Sequence, residues 1–307
     1  MSLDMDALWF EALLQKYGIV VSASSPLSEH LSVMKKIPSW LRDEYHFPSN
    51  LDLSSLFNIV LGLNYQIKAI ARALKTRSAD AIIVRLKEIF YGPNVILSMY
   101  VPHNKDRDSA WELLVGCLVA LIADNLTFGE PDIRCLFEGV NWGIECKYFY
   151  SNNRNKHVNN IVDGVKQIEA SPAELGCIFI NVSNLIAHYK YFHQMPKNQY
   201  KFWAFNDPGA PHKMLYTDVD GIINNLLKPY FVERIIRDRK TGLERNKTRS
   251  LLFLGQTVSA HRKDSGSAAT SLATCIIDYR FRNIRDVESR FFDKFNQVGA
   301  DTHFYNI

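Results

Sequence analysis

Residues 131–149 read Pro-Asp-Ile-Arg-Cys-Leu-Phe-Glu-Gly-Val-Asn-Trp-Gly-Ile-Glu-Cys-Lys-Tyr-Phe. Two short apolar runs, 132–137 and 142–149, flank Glu138-Gly139-Val140-Asn141, the pattern of a β-hairpin. Side chains alternate faces along a strand, so Glu145 and Lys147 point one way and Ile144, Cys146 and Tyr148 the other. The hairpin brings Asp132, at the start of the first run, close to Glu145 on the second. A carboxylate and an ammonium inside an otherwise apolar strand are costly unless they are paired or used.

Those residue types suit one chemistry. Phosphodiester hydrolysis near neutral pH draws on a divalent cation held by a few carboxylates, and a hard ion such as Mg²⁺ or Mn²⁺ fills its shell with water. A neighbouring lysine stabilises developing charge or orients the water. The acid-x-Lys pattern by itself carries little, since composition alone produces it. It occurs twice, at Glu145-Cys146-Lys147 and Asp238-Arg239-Lys240. Only the first lies within an apolar strand and follows a Pro-Asp dipeptide, Pro131-Asp132, at hairpin distance. The plain structural alternative is a buried Glu145–Lys147 ion pair.

Outward from the hairpin, the pattern predicts a helix over about 109–125, capped by Asp108 or Ser109. After it, a polar stretch at 151–160 leads into a helix at about 158–170, stopped by Pro172, and 175–182 is a continuous apolar run typical of a buried strand. Further strands are expected at 201–205 and 251–258, with a helix near 218–237. Towards the N-terminus, apolar spacing predicts helices over 4–17, 52–74 and 78–90, while Pro26, Pro38 and Pro48 punctuate short segments. The expected organisation is a helical domain over 1–104 and an α/β domain over 105–307.

Composition sets the frame. Of 307 residues, 47% are hydrophobic, enough for a packed core. No apolar run is long enough to span a bilayer, so no membrane partner is expected. Asp4, Asp6 and Glu11 stand where a secretory leader would be basic and apolar. The five cysteines form no Cys-x-x-Cys pair and read as reduced packing residues of a cytoplasmic protein. Residues 105–227 carry a net charge of −3 and residues 228–294 a net of +7. A cation site beside a phosphate-binding surface produces such a contrast, as does ordinary solvated charge.

Pro131-Asp132 followed by Glu145-Cys146-Lys147 resembles the signature of the PD-(D/E)XK nuclease superfamily, which includes restriction endonucleases and Holliday-junction resolvases. The resemblance spans roughly 108–183 and extends to the order helix, hairpin, helix, buried strand. It implies an α/β fold with a restriction-endonuclease-like mixed sheet flanked by helices. It also implies that Asp132 and Glu145 bind Mg²⁺ (or Mn²⁺), that the Cys146 carbonyl completes the coordination, and that Lys147 assists the attacking water, leaving a 5′-phosphate. The 1–104 segment lies outside it.

Two further candidates, Glu112 and Gln167, follow from the same resemblance, and others from position and charge. Glu112 matches a glutamate that many members carry on the preceding helix, although Ser109-Ala110-Trp111-Glu112 also reads as a capping box. Gln167 resembles a polar residue on the following helix that orients water or phosphate. Glu130 neighbours Asp132 but is expected on the opposite face. Basic segments suited to phosphate contact lie at Arg154 and Lys156, and at Arg237, Arg239, Lys240, Arg245 and Lys247. DNA is the expected substrate before RNA, and a homodimer is compatible with cutting two strands. The rival readings are an idle nuclease fold that binds nucleic acid or protein, an RNA-directed nuclease, and a purely structural ion pair.

Overall fold

Elements and their order emerge directly from where apolar side chains can be buried. The computed structural model describes residues 2–42, 53–90, 106–151, 153–186, 204–205, 209–237, 244–262, 268–281 and 286–300. Four helices come first: α1 (Leu3–Lys16), α2 (Pro26–Arg42), α3 (Leu53–Ala73) and α4 (Ala79–Phe90). They are followed by α5 (Asp106–Val119), β1 (Asp124–Phe128), β2 (Ile133–Phe137), β3 (Val140–Tyr148), α6 (Arg154–Ala170) and β4 (Leu175–Asn181). The remainder comprises β5 (Ala204–Phe205), α7 (Ala210–Leu226), α8 (Pro229–Ile236), β6 (Thr248–Arg262), β7 (Ala268–Arg280) and α9 (Asp286–Ala300).

The seven strands form one mixed sheet in an α/β fold. β1, β2 and β3 are antiparallel neighbours, β3 pairs parallel with β4, and β4 parallel with β6. β7 runs antiparallel along β6, and β5 pairs parallel with the far end of β6. Helices cover both faces. On one, Ile144, Cys146, Cys177 and Phe179 pack with α5, α9 and side chains of α1–α4 in a single apolar cluster. On the other, Ile178, Ile180, Leu251 and Phe253 pack with residues of α6 and α7. The boundary expected near residue 104 lies outside the described residues, and the cluster on the first face joins the segments either side of it.

Local expectations and structure part at several places for physical reasons. The punctuation expected at Pro26 and Pro38 gives way to a helix, α2, because Leu27, Leu31, Met34 and Ile37 form a buried stripe at helical spacing. Pro26 opens the helix, where a missing N–H costs nothing. The helix expected to run to 125 ends at Val119, and 124–128 is the edge strand β1, an exchange hidden by the unbroken apolar stretch between them. α6 starts at Arg154 rather than 158 because Asn153 caps it, accepting from the Lys156 N–H at 3.1 Å. The single helix expected at 218–237 is two, interrupted before Pro229. β7 and α9 carry no corresponding expectation. All five cysteines are free and buried. Among the described residues no helix is long and apolar enough to cross a membrane.

The hairpin turn is shorter than the four residues read from sequence. Phe137 pairs with Val140, leaving only Glu138 and Gly139, at φ of 50° and 80°. Two consecutive left-handed residues match the right-handed twist of the flanking strands. Gly139 adopts this freely. The Glu138 carboxylate pairs with Arg290 at 2.6 Å and Lys294 at 3.4 Å from α9.

Candidate functional site

The pairing register of β2 and β3 creates the site. The last pair is Ile133 with Ile144, so β3 continues through residues 145–148 with β4 on one edge and, among the described residues, no strand on the other. A backbone N–H on that open edge needs an acceptor. Asp132, the residue immediately before β2, supplies it: its Oδ2 accepts the Cys146 N–H at 2.7 Å. Glu145 returns the contact, its Oε1 accepting the Asp132 N–H at 3.3 Å. Lys147 Nζ donates to Glu145 Oε2 at 2.5 Å. The hairpin thus brings Asp132, Glu145 and Lys147 together through a reciprocal side-chain and backbone lock.

Glu145 is fully buried, while Lys147 is one-fifth exposed. Both lie on the face covered by α6, where Gly164 makes room for them. A Cβ there would stand 3.1 Å from Lys147 Cε and 3.4 Å from Glu145 Cβ. An isolated glycine in a helical pattern was the available signal for this approach.

Glu112 joins the cluster from α5. The helix begins at Asp106, so Ser109 is inside it and the capping-box reading fails. Instead the Glu112 carboxylate takes a guanidinium hydrogen bond from Arg85 of α4, a partner absent from the sequence reading. Its signal was one arginine within the apolar run Ile82-Ile83-Val84-Arg85-Leu86. Beside it, the Tyr150 hydroxyl donates to Asp108.

Electrostatics follow from packing three carboxylates together. Burial, then the neighbouring Asp132 charge, pushes Glu145 up to about 7, against the pull of Lys147. Glu112 is pushed up to about 7 by the same two causes, against Arg85. Burial also raises Asp132, opposed by Lys147 and by the Cys146 N–H. For Lys147, burial is the largest single influence and works downward, but the attractions of Glu145 and Asp132 together outweigh it and the net shift is upward. The cluster holds carboxyl groups at 112, 132 and 145 against cations at 85 and 147, so full ionisation would leave one net negative charge, which proton uptake by Glu112 and Glu145 relieves.

This donor set is chemically suited to a hard divalent cation, which commonly uses one or two carboxylates with water and substrate oxygens. Asp132 and Glu145 would hold it, with the Cys146 carbonyl adjacent in sequence and Glu112 close enough in space to feel the Asp132 charge. Among the described residues, no group of three His, Cys, Asp or Glu side chains is arranged to hold a metal ion by itself. Water or phosphate oxygens would therefore have to complete the shell.

The remaining candidates scatter. Gln167 Nε2 donates to Glu130 Oε1 at 2.9 Å, so these two pair with each other at the turn preceding Asp132. Arg154 lies 5.8 Å over the Phe231 ring and lines a cavity of about 340 Å³ with Phe149, His157 and Leu226. Lys156 is exposed. Arg237 faces Glu244 at 3.5 Å and Glu233 at 4.0 Å. Arg239 and Lys240 lie outside the described residues. Arg245 is 9% exposed and donates to the carbonyls of Arg234 and Ile235 at the end of α8. Lys247 is likewise turned inward, donating to the Ser171 carbonyl at 2.5 Å. No protein-family model matches the chain, and neither does any curated protein or solved structure.

Proposed function

We propose that this protein is a divalent-cation-dependent phosphodiesterase of nucleic acid, a restriction-endonuclease-like nuclease of the PD-(D/E)XK kind acting on DNA in preference to RNA. The reading rests on one observation: the fully buried Glu145 carboxylate, locked to Asp132 across an open strand edge, has Lys147 at 2.5 Å. Burying charge is expensive, and a structural role is met as well by apolar residues of similar size. Asp132 and Glu145 would bind Mg²⁺ or Mn²⁺, with Glu112 and the Cys146 carbonyl as further oxygen donors. The ion would supply charge at the scissile phosphate and acidify the attacking water. Lys147 would orient that water and stabilise the negative charge developing on phosphate. Lys156, Arg154 and Arg237 remain the surface cations suited to the backbone of a duplex. A homodimer would serve cleavage of both strands.

A second reading has its own support. Both Glu145 oxygens and Asp132 Oδ2 are already engaged, by the Asp132 N–H, Lys147 and the Cys146 N–H, which favours an idle nuclease fold that only binds nucleic acid or a partner. Incubation of the full chain with circular plasmid and with matched RNA, in Mg²⁺, Mn²⁺ or EDTA, separates the two. The nuclease reading expects cation-dependent cutting that is lost in Lys147→Ala. Binding without cutting, and no Mn²⁺ uptake by calorimetry, would leave the idle fold.

A further inference from the structure

Among the described residues, Arg85 is the one cation at this cluster that comes from the helical segment before α5. Its position is built by packing. Gly116, one turn after Glu112 on α5, admits the Phe128 ring of β1; a Cβ at 116 would stand 2.5 Å from that ring. Arg85 lies over the same ring, 5.6 Å from its centre, a cation–π arrangement. The stacked guanidinium then reaches Glu112 with one nitrogen and Glu88 with another, at 3.0 Å. Among the described residues its buried Nε–H has no acceptor, so the placement sacrifices one of Arg85's own hydrogen bonds there. The guanidinium charge also acts on Asp132, beyond its direct partner.

We infer that Arg85 is an internal cation surrogate. It holds Glu112 beside Asp132 and neutralises the acidic pocket, and it competes with a divalent ion for the same carboxylate. This rests on the cation-binding reading proposed above. It makes α4 a working part of the reaction centre and turns cation uptake into an exchange of one positive charge for another. Arg85 is a positioning residue and need not touch substrate.

Two measurements on the full chain test it. In Mn²⁺ calorimetry, folded Arg85→Gln should bind the ion about tenfold more tightly than wild type, a change of about 1.4 kcal/mol, while Arg85→Lys stays near wild type. Equal or weaker binding by a folded Arg85→Gln overturns the competition. In EDTA, Arg85→Gln should melt a few degrees lower than wild type, and Arg85→Gln with Glu112→Gln should recover part of the loss, because the stranded carboxylate is gone. Additive or absent effects overturn the pairing itself. No Mn²⁺ uptake by wild type would sink the cation-binding reading and the competition with it. The EDTA arm would still decide whether Arg85 neutralises Glu112.

Discussion

The Asp132 carboxylate accepts the Cys146 backbone N–H at 2.7 Å, doing with a side chain what a neighbouring strand would otherwise do with its backbone. The contact ties the turn before β2 to the middle of β3, and Glu145 reciprocates through the Asp132 N–H. An acidic side chain that terminates strand pairing and also fixes a second carboxylate couples local geometry to the proposed chemistry. Asp132→Asn should keep the fold, since an amide oxygen still accepts that bond, yet lose most Mn²⁺ affinity. Calorimetry beside a thermal melt checks this; unchanged affinity would count against Asp132 as a ligand.

Lys147 is expected to matter for rate more than for folding. Glu145 already sits at about 7, so with the ammonium removed the carboxyl can take up a proton instead of remaining a bare buried charge. Lys147→Ala should therefore fold and melt cooperatively, with cutting reduced by about 10²–10³-fold, the scale for loss of one charge-stabilising group. Loss of cooperative melting would instead mark the pair as structural.

Metal-free stability should fall as pH rises. Glu112 and Glu145 both titrate at about 7 in the folded protein, against 4.5 as the ordinary value. The folded state thus holds protons more tightly than the unfolded chain. The stabilising contribution of each is complete below about pH 4.5 and is lost as pH climbs to about 7, on the order of 3 kcal/mol per carboxyl group. Melting in EDTA across this window reads it directly. With saturating Mn²⁺ the slope should flatten, because the ion takes the place of the protons.

Gly164 is expected to be intolerant of even a methyl group. Alanine improves helix propensity by about 1 kcal/mol, but its Cβ would press on Lys147 Cε at 3.1 Å and Ile178 Cδ1 at 3.3 Å. Gly164→Ala should leave the melting temperature within a few degrees while lowering activity through a displaced lysine. Full activity in this variant would show that the Lys147 position is not critical.

The basic segments should separate by role. Arg245→Met removes donors that hold the end of α8 and should destabilise by about 1–3 kcal/mol, with no specific effect on DNA affinity. Lys156→Ala, on an exposed side chain, should melt like wild type and show weaker, less salt-dependent duplex binding. Fluorescence anisotropy at two salt concentrations, paired with melts, distinguishes them.

The sequence by itself determined the hairpin, the faces of Glu145 and Lys147, and the buried strand at 175–182, because alternation and apolar runs are local properties of a chain. It also located Asp132 at hairpin distance. Tertiary structure alone decided that the turn has two residues, with Glu138 at positive φ and its carboxylate paired to Arg290 of α9, 152 residues along the chain. It alone paired Arg85 with Glu112 and turned Arg245 and Lys247 inward. Those outcomes depend on long-range packing and on the competition of each charge for distant partners. Spacing along the chain encodes neither.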